Sequence, residues 1–167
     1  NKKESLNERI SIVKDEVLSI SKKLKPNALD EFSKITYPNF WLLQSPKDIA
    51  FQIENFFNVS KKNKDFDFYI KTLDEKNIFH LTIVTNDRPK LFLDIISIFV
   101  LEDISVLEAR IFTLDDESVI DTFKISLPRY ESLHEKEINE KINNFKKKLK
   151  LIKNGVTIKT FKKNKSE

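Results

Sequence analysis

The sequence predicts an α+β protein in which a helical segment precedes an antiparallel sheet with two helices on one face. Three observations lead to this class. Apolar residues in the first part of the chain recur at helical spacing, and after the polar stretch 60–64 the spacing changes from about 3.6 residues to 2. From residue 78 the elements follow the order strand, helix, strand, strand, helix, strand. The change of period indicates a domain boundary, so we divide the chain into a helical connector, residues 1–63, and a sheet domain, residues 64–167.

The connector begins with a predicted helix over residues 5–24. Its apolar residues share one stripe, with polar residues opposite. Pro26 ends this helix, and residues 27–39 form a short helix or loop around Leu29 and Phe32. The stripe consists of Leu6, Ile10, Val13, Val17, Ile20 and Leu24.

A second long helix is predicted to begin at Ser45. The apolar group at 40–43 precedes it and must pack against another element. Ser45 supplies a capping hydroxyl, Pro46 fits the first helical turn, and Asp48 places a negative charge near the positive end of the helix dipole. We expect this helix to continue to about Val59.

The sheet domain is predicted from alternation, turns and proline-started helices. Residues 66–72 alternate between apolar and polar, residues 74–77 form a turn, and residues 78–85 are apolar enough for a strand buried on both faces. The remaining predicted elements are a helix from Pro89, strands 104–114 and 118–127, a helix after Pro128 and a strand at 156–161. This βαββαβ order is that of ferredoxin-like folds, and residues 66–72 add an extra strand beside the first.

Composition excludes several classes of chemistry. The chain has 167 residues, with 30 lysines and arginines against 26 acids, no cysteine and one glycine. Disulfides, thiolate metal sites and glycine-rich phosphate loops are therefore excluded. No apolar run approaches the roughly 18 residues of a membrane-spanning helix, and the polar start has no secretory signal, so we expect no membrane contact and a cytoplasmic location. The nearly balanced charges argue against nucleic-acid binding.

The sequence contains no convincing catalytic pattern. Asp65 and Asp67 have the spacing by which nucleotidyltransferases hold magnesium, but the glycine-serine loop of that site is missing, so we interpret the pair as an acidic strand edge. His80 and His134 lack a second histidine at ligand spacing; we expect one satisfied ring nitrogen for His80 and a surface position for His134. We therefore predict no catalytic residue, no metal ligand and no cofactor.

One loop, residues 85–92, has the features of a binding site. It is rich in polar residues and leads into a helix whose first backbone amides have no intrahelical partner. Such amides can donate to a ligand carboxylate. The alternative interpretation is that Asn86 or Asp87 simply caps the helix.

Three sequence stretches, residues 81–92, 106–113 and 121–123, together resemble a known family. They read LTIVTNDRPKLF, VLEARIFT and DTF, and they are similar to the T-x-D-R-P-G-L-F, D-A-R-I-x-T and D-T-F motifs in the first ACT domain of the bifunctional PII uridylyltransferase/uridylyl-removing enzymes. Residues 37–46 also resemble that family's segment before the first ACT domain. The resemblance covers most of residues 5–127 and implies a connector plus first ACT domain, without the nucleotidyltransferase and phosphodiesterase domains.

The resemblance implies a role in sensing rather than catalysis. In the family, the ACT region senses glutamine and biases the parent enzyme between adding uridylyl groups to the signal protein PII and removing them. Because ACT ligands usually lie between two copies, we expect a homodimer formed through this domain. The residues that would bind glutamine or another amino acid are Asn86, Asp87, Arg88, Lys90, Leu91, Ala109 and Arg110.

Two residues depart from the family pattern. Lys90 replaces the glycine after the proline, and Glu117 replaces the usual glycine of the hairpin before the third strand. The lysine side chain either blocks the pocket or adds a cation for a carboxylate.

Three alternative hypotheses remain open at this stage. The domain could be a dimerisation module that binds no ligand, which Lys90 favours. It could be a ferredoxin-like RNA-binding domain, which requires exposed aromatic side chains on the central strands. It could also be the ACT domain of another enzyme, such as an amino-acid biosynthetic dehydrogenase or a stringent-response synthetase.

Overall fold

A computed structural model describes residues 2–61, 66–73, 75–86 and 90–155. Over these residues the fold is α+β, as predicted, with six α-helices and one four-stranded antiparallel sheet. None of the helices in these ranges is long and apolar enough to cross a membrane.

The connector folds into four helices. They are α1 (Lys2–Ile20), α2 (Pro26–Lys34), α3 (Pro38–Leu42) and α4 (Pro46–Lys61). The last three begin at proline, where the missing N–H is not needed. Helix α1 ends at Ile20 instead of residue 24, because Lys25 precedes Pro26 and is extended (φ −99°, ψ 147°). The predicted cap of α4 is confirmed, since the Asp48 amide donates to Ser45 Oγ over 3.2 Å.

The sheet domain contains four described strands. In chain order the elements are β1 (Phe66–Thr72), β2 (Phe79–Asn86), α5 (Leu91–Leu101), β3 (Ser105–Thr113), β4 (Ser118–Ser126), a short 3₁₀ helix (Tyr130–Ser132) and α6 (Glu135–Lys153). The strand order is β1-β2-β4-β3, and every neighbouring pair is antiparallel. Strands β1 and β3 are therefore the two edges of the described sheet.

The predicted extra strand occupies an informative position. Strand β1 pairs with β2 from Phe66 opposite Thr85 to Thr72 opposite Phe79. In a ferredoxin-like sheet, the position beside the first strand of the βαββαβ unit, which is β2 here, is occupied by the last strand of that unit. Here β1 takes that edge. The strand predicted at 156–161 lies outside the described residues.

One face of the sheet, the α5/α6 face, is covered by the two predicted helices. Alternate residues of β2 and β4, such as Leu81 and Phe123, meet the buried sides of α5 and α6. The ring of Phe145 on α6 stacks on Phe99 of α5 at 5.4 Å. The buried apolar residues of this face are Phe66, Phe79, Leu81, Ile83, Leu91, Ile95, Ile98, Phe99, Ile104, Phe123, Ile125, Leu127, Phe145, Leu149 and Ile152.

The opposite face, the α4 face, is covered by the connector. Residues of β2, β3 and β4 that point away from α5 and α6 pack against the connector helices. The apolar group at 40–43 finds its partners here, because Phe40 packs edge-on against Phe112 of β3 at 5.2 Å. The buried apolar residues are Val17, Leu24, Leu29, Phe32, Phe40, Trp41, Ile49, Ala50, Ile53, Phe56, Val59, Val84, Phe112, Leu114 and Ile120.

Candidate functional site

The predicted binding loop joins the end of β2 to the start of α5. Strand β2 ends at the exposed Asn86, and α5 begins at Leu91. The residue at the N-cap is Lys90, and its side chain makes no capping hydrogen bond. Asn86 is therefore not the helix cap. Asp87 and Arg88, two of the predicted ligand-binding residues, lie outside the described residues.

A small cavity lies beside this loop, and we call it the elbow cavity. It encloses about 130 Å³ between the start of α5, the edge strand β3 and its neighbour β4 on the α5/α6 face. Asp121 is only 3% exposed there, so the site includes a carboxylate largely shielded from bulk water. The lining residues are Thr85, Leu91, Phe92, Ile111, Thr113, Val119 and Asp121.

The predicted site residues do not all reach the elbow cavity. Leu91 lines it, whereas Lys90 is exposed at the helix start. Ala109 pairs with Phe123 and Arg110 with Thr122, so these two neighbours point to opposite faces of the sheet. Arg110 lies on the α4 face, where its Nη2 is 2.7 Å from Glu108 Oε1. Neither Ala109 nor Arg110 lines the elbow cavity.

Arg110 instead borders a second, larger groove. This groove of about 460 Å³ lies between the third connector helix and β3 and is open to solvent. Its walls are mostly apolar and aromatic, and the Tyr37 hydroxyl at its rim donates to Asp115. That hydrogen bond raises the pKa of Tyr37. The lining residues are Tyr37, Asn39, Phe40, Leu43, Arg110, Ile111, Phe112, Thr113 and Leu114.

The two residues that replace family glycines both adopt a backbone conformation that favours glycine. Lys90 has φ 70°, and Glu117 in the β3–β4 hairpin also has φ 70°. A side chain in this left-handed region costs about 1–2 kcal/mol relative to the usual helical region. The turn geometry associated with glycine is therefore present without glycine at either position.

A buried polar cluster, which the sequence did not reveal, lies between α4 and the α4 face. His80 and Gln52 are fully buried, and Asp48 is 8% exposed. His80 Nε2 lies 2.7 Å from Thr122 Oγ1, and Gln52 Nε2 donates to the same oxygen over 3.2 Å. On the other side of the ring, His80 Nδ1 lies 3.4 Å from Asp48 Oδ1 without hydrogen-bond geometry. The prediction of one satisfied nitrogen for His80 is thus confirmed.

One tautomer of His80 is compatible with the contacts on both sides of its ring. Because Thr122 Oγ1 accepts from Gln52, its own O–H is available to donate to His80 Nε2. An accepting Nε2 leaves the ring proton on Nδ1, directed towards the Asp48 carboxylate. The cluster then runs by hydrogen bonds from Gln52 through Thr122 to His80, and a 3.4 Å contact joins His80 Nδ1 to Asp48 Oδ1.

The Asp48 carboxylate is the charged end of the polar cluster. Burial alone raises its pKa, but the contacts from His80 and from Lys124, whose Nζ is 2.9 Å from Oδ2, outweigh burial and hold the pKa well below its usual range. The same contact with Asp48 raises the pKa of Lys124. Lys124 also approaches Glu108 at 3.7 Å, which connects the cluster to the Glu108–Arg110 pair on β3.

Asp48, His80 and Thr122 are ordered like the acid, base and hydroxyl of a hydrolase. The hydroxyl of Thr122, however, opens only onto a cleft of about 80 Å³ that also contains the charged groups of Glu108, Arg110 and Lys124. Substrate pockets are typically about 300–1,000 Å³. The geometry therefore favours a structural link between α4 and the sheet over acyl-transfer chemistry.

The other predicted sites differ in how much the structure describes. Within the described ranges, no group of three or more His, Asp or Glu side chains could hold a metal ion. Asp67 Oδ1 lies 3.4 Å from Lys153 Nζ, and Asp65 lies outside the described residues. His134 is exposed at the start of α6, as predicted. Phe79, Phe112 and Phe123 are buried on the strands and are not available to stack on RNA bases.

Comparison with known proteins gives one informative relative. The chain is 27% identical over 107 residues to a bifunctional uridylyltransferase/uridylyl-removing enzyme of Gluconobacter oxydans (strain 621H). The match covers 60% of this chain and 10% of that protein, so the matched region is about a tenth of the relative's length. No family model matches the chain. The similarity supports a family-level link to these enzymes and no more.

Proposed function

We propose that this chain is a regulatory region of a larger uridylyltransferase/uridylyl-removing enzyme and that its elbow cavity binds an amino acid, with glutamine as the first candidate. The main supporting observation is the lining of the cavity. Six of its seven residues fall within the three stretches that resemble the ACT motifs, although these stretches are far apart in sequence. Residues of all three motifs therefore line one cavity, which supports a common role in binding.

The chemistry of the elbow cavity fits a small zwitterion. The Asp121 carboxylate suits an ammonium group, and the Thr113 hydroxyl suits an amide or carboxylate. The Thr85 hydroxyl donates to the Asn86 carbonyl over 2.9 Å and can still accept from an amide N–H of the ligand. Lys90 lies at the start of α5 and adds a cation to the free amides there. The volume of about 130 Å³ is below that of most closed ligand sites, so a second copy or another part of the parent completes the enclosure.

The activities of the parent belong to the same proposal. Uridylyl transfer to PII and its phosphodiesterase reversal would take place on catalytic domains outside this chain. The chain's contribution is to change their balance when an amino acid binds. PII and the catalytic domains are accordingly the proposed partners.

Calorimetry with glutamine tests the binding site. We expect saturable heat at millimolar glutamine with the wild-type chain. Thr85→Val removes one lining hydroxyl and should weaken binding about tenfold, the loss of one hydrogen bond. Thr72→Val, on β1 and outside the cavity lining, is the matched control and should bind like the wild type. Absence of heat with the wild type at millimolar glutamine would contradict glutamine sensing by this chain.

A dimerisation module is the second candidate function, and the edge strand β3 favours it. Leu107 and Ile111 on this strand are 56% and 51% exposed. If two copies pair β3 antiparallel about Ala109, Glu108 of each copy lies opposite Arg110 of the other. Apolar contacts and opposite charges then coincide in one register. Pairing about Arg110 would instead place two arginines together.

Because the chain has no cysteine, one introduced thiol tests this register. Residues directly opposite in an antiparallel pair have Cα atoms about 4.5–5.5 Å apart, within the range of a disulfide. Oxidised Ala109→Cys should run as a covalent dimer, and the exposed Ser132→Cys as a monomer. A dimer whose melting temperature ignores a panel of amino acids would favour dimerisation without sensing.

A further inference from the structure

Two neighbouring residues of β4 connect the elbow cavity to the connector. Asp121 lines the cavity on the α5/α6 face, and Thr122 points to the opposite face, where it contacts His80 and Gln52. Strand β3 repeats the arrangement, since Ile111 lines the cavity and Arg110 pairs with Glu108 beside Lys124. The central sheet is therefore a single layer between a candidate effector site and a buried polar cluster.

We propose that the polar cluster of Asp48, Gln52, His80 and Thr122 couples occupancy of the elbow cavity to the position of α4. This inference rests on the proposed function, because it assigns the route by which binding at that site reaches the connector. A ligand that shifts β4 changes the position of Thr122 directly. Thr122 in turn contacts the two buried groups that hold α4 to the sheet.

The composition of the α4 interface supports a switching role. Ile49, Ile53 and Phe56 show that α4 can pack against its neighbours with apolar side chains alone. Burying Gln52 and His80 instead is costly unless every polar atom is satisfied. Among the described residues, Gln52 Oε1 and Asn55 Nδ2 are buried without a hydrogen-bond partner. An interface selected only for stability would not retain these groups.

The observed arrangement of the polar cluster can be exchanged for a second one by turning side-chain amides. In the observed arrangement, Gln52 Nε2 donates to Thr122 and to Gln44 Oε1 at 2.6 Å. A half-turn of the Gln52 amide, together with a half-turn of the Gln44 amide that keeps their mutual hydrogen bond, presents Gln52 Oε1 to Thr122, which would then donate to Gln52 instead of His80. His80 Nε2 would lose its partner or take up the ring proton, and the contact with Asp48 would change. Two discrete arrangements of one buried group are the kind of element that a ligand can bias.

Trp41 is a reporter for this coupling. It is the only tryptophan, is 2% exposed in the connector, and donates from Nε1 to Thr36 Oγ1 over 2.9 Å. Its neighbour Phe40 packs on Phe112 within the same apolar cluster that includes α4. Movement of α4 should therefore change the emission of Trp41. Residues of the elbow cavity do not contact its ring among the described ring contacts.

The test compares binding heat with Trp41 emission during glutamine titration. For the wild type we expect both signals with one midpoint. Thr122→Val keeps the shape of the side chain but removes its hydroxyl, so binding heat should remain while the emission change falls at least about fivefold. Thr72→Val is the control and should keep both signals. If Thr122→Val retains the full emission change, the proposed coupling is wrong.

A ligand-free measurement separates failure of coupling from failure of glutamine binding. Val119→Ile adds a methylene group to the lining of the elbow cavity, and hydrogen exchange then reports on the α4 amides. We expect the exchange rates of α4 to change by about fivefold in Val119→Ile and much less in Val119→Ile with Thr122→Val. Equal changes in both proteins overturn the coupling. Absence of glutamine heat with a retained exchange effect overturns only the proposed ligand. If Thr122→Val does not fold, Gln52→Leu takes its place in both measurements.

Discussion

The two faces of the sheet differ in what they bury. On the α5/α6 face, Leu81, Phe123 and Phe145 belong to a large buried apolar cluster, and the buried polar residues Thr85 and Asp121 lie only beside the elbow cavity. On the α4 face an aromatic group around Phe40 lies beside a polar cluster centred on His80. Both faces come from the same strands, because successive residues alternate in direction. The α5/α6 face is thus suited to holding the fold together. The α4 face is suited to packing against the connector in a way that can change.

The energies of the two faces follow from this difference. A fully buried large apolar side chain contributes about 1.5–3 kcal/mol through removal from water. A neutral hydrogen bond contributes only about 1 kcal/mol net, yet leaving one buried partner unsatisfied costs about 1–3 kcal/mol. Substitutions on the α5/α6 face should therefore act through lost volume. Substitutions on the α4 face should depend on charge and pH.

The largest expected effect comes from a substitution that creates a cavity in the core of the α5/α6 face. Phe145→Ala removes a fully buried ring that stacks on Phe99, so we expect a loss of about 3–5 kcal/mol in the free energy of unfolding. Urea denaturation followed by circular dichroism measures it. The half-buried Phe57 of α4 is the comparison, and Phe57→Ala should cost clearly less. A loss below about 1 kcal/mol for Phe145→Ala would contradict the assignment of this face as the main core.

An intermediate effect is expected from the charged end of the polar cluster. Asp48→Asn keeps the shape of the side chain but removes the charge that faces Lys124 and His80. We expect a loss of about 2–3 kcal/mol at pH 7, less than for a fully buried pair because Lys124 is partly exposed. The exposed Asp30→Asn is the matched control and should change stability by less than about 0.5 kcal/mol.

The same carboxylate should give the α4 face a specific pH dependence. The folded state holds the pKa of Asp48 well below its usual range, whereas in the unfolded chain it is about 3.9. Its stabilisation is therefore complete above about pH 4–5 and is lost as the pH falls towards the folded-state pKa. The wild type should lose stability on acidification more steeply than Asp48→Asn. Parallel curves for the two proteins from pH 7 to pH 3 would show that Asp48 is not the responsible group.

Much of the fold could be predicted because it depends on local signals. The change of apolar period marked the start of the sheet domain, and Ser45 with Pro46 marked the start of α4. The end of α1 was misplaced because its apolar stripe continues to Leu24. That residue is buried from the irregular segment between α1 and α2 instead of from the helix. Burial and helical conformation are separate properties, and an apolar pattern reports only burial.

The polar cluster was not predictable for a different reason. Asp48, His80 and Thr122 belong to three different elements, and no spacing in the sequence connects them. Each had an adequate local explanation, Asp48 as a charge near a helix start and His80 as a strand residue. The opposite directions of Ala109 and Arg110, in contrast, follow from strand alternation and could have been predicted. The resemblance to a family motif predicted that the two residues share one site, although strand alternation directs their side chains to opposite faces.

The smallest expected effect concerns the backbone at two turns, one beside each face. Lys90 begins α5 at the elbow cavity, and Glu117 lies in the β3–β4 hairpin, where the Asp115 amide donates to Ile35 of the connector over 2.9 Å. Both have φ 70°, so Lys90→Gly and Glu117→Gly should each raise the free energy of unfolding by about 0.5–1 kcal/mol. Thermal denaturation of the single and double variants measures this gain.

Gly155 provides a control of opposite sign for these two substitutions. It has φ 89°, and a Cβ atom there would meet nothing within 4 Å, so Gly155→Ala isolates the backbone cost and should destabilise. If Lys90→Gly and Glu117→Gly raise the free energy of unfolding by similar amounts, the backbone cost is the same beside both faces. The contrast between the two faces then lies in their side chains. A gain at Glu117 with a loss at Lys90 would instead show that the lysine side chain stabilises the start of α5. In that case the departure from glycine at the elbow is an adaptation of the site itself.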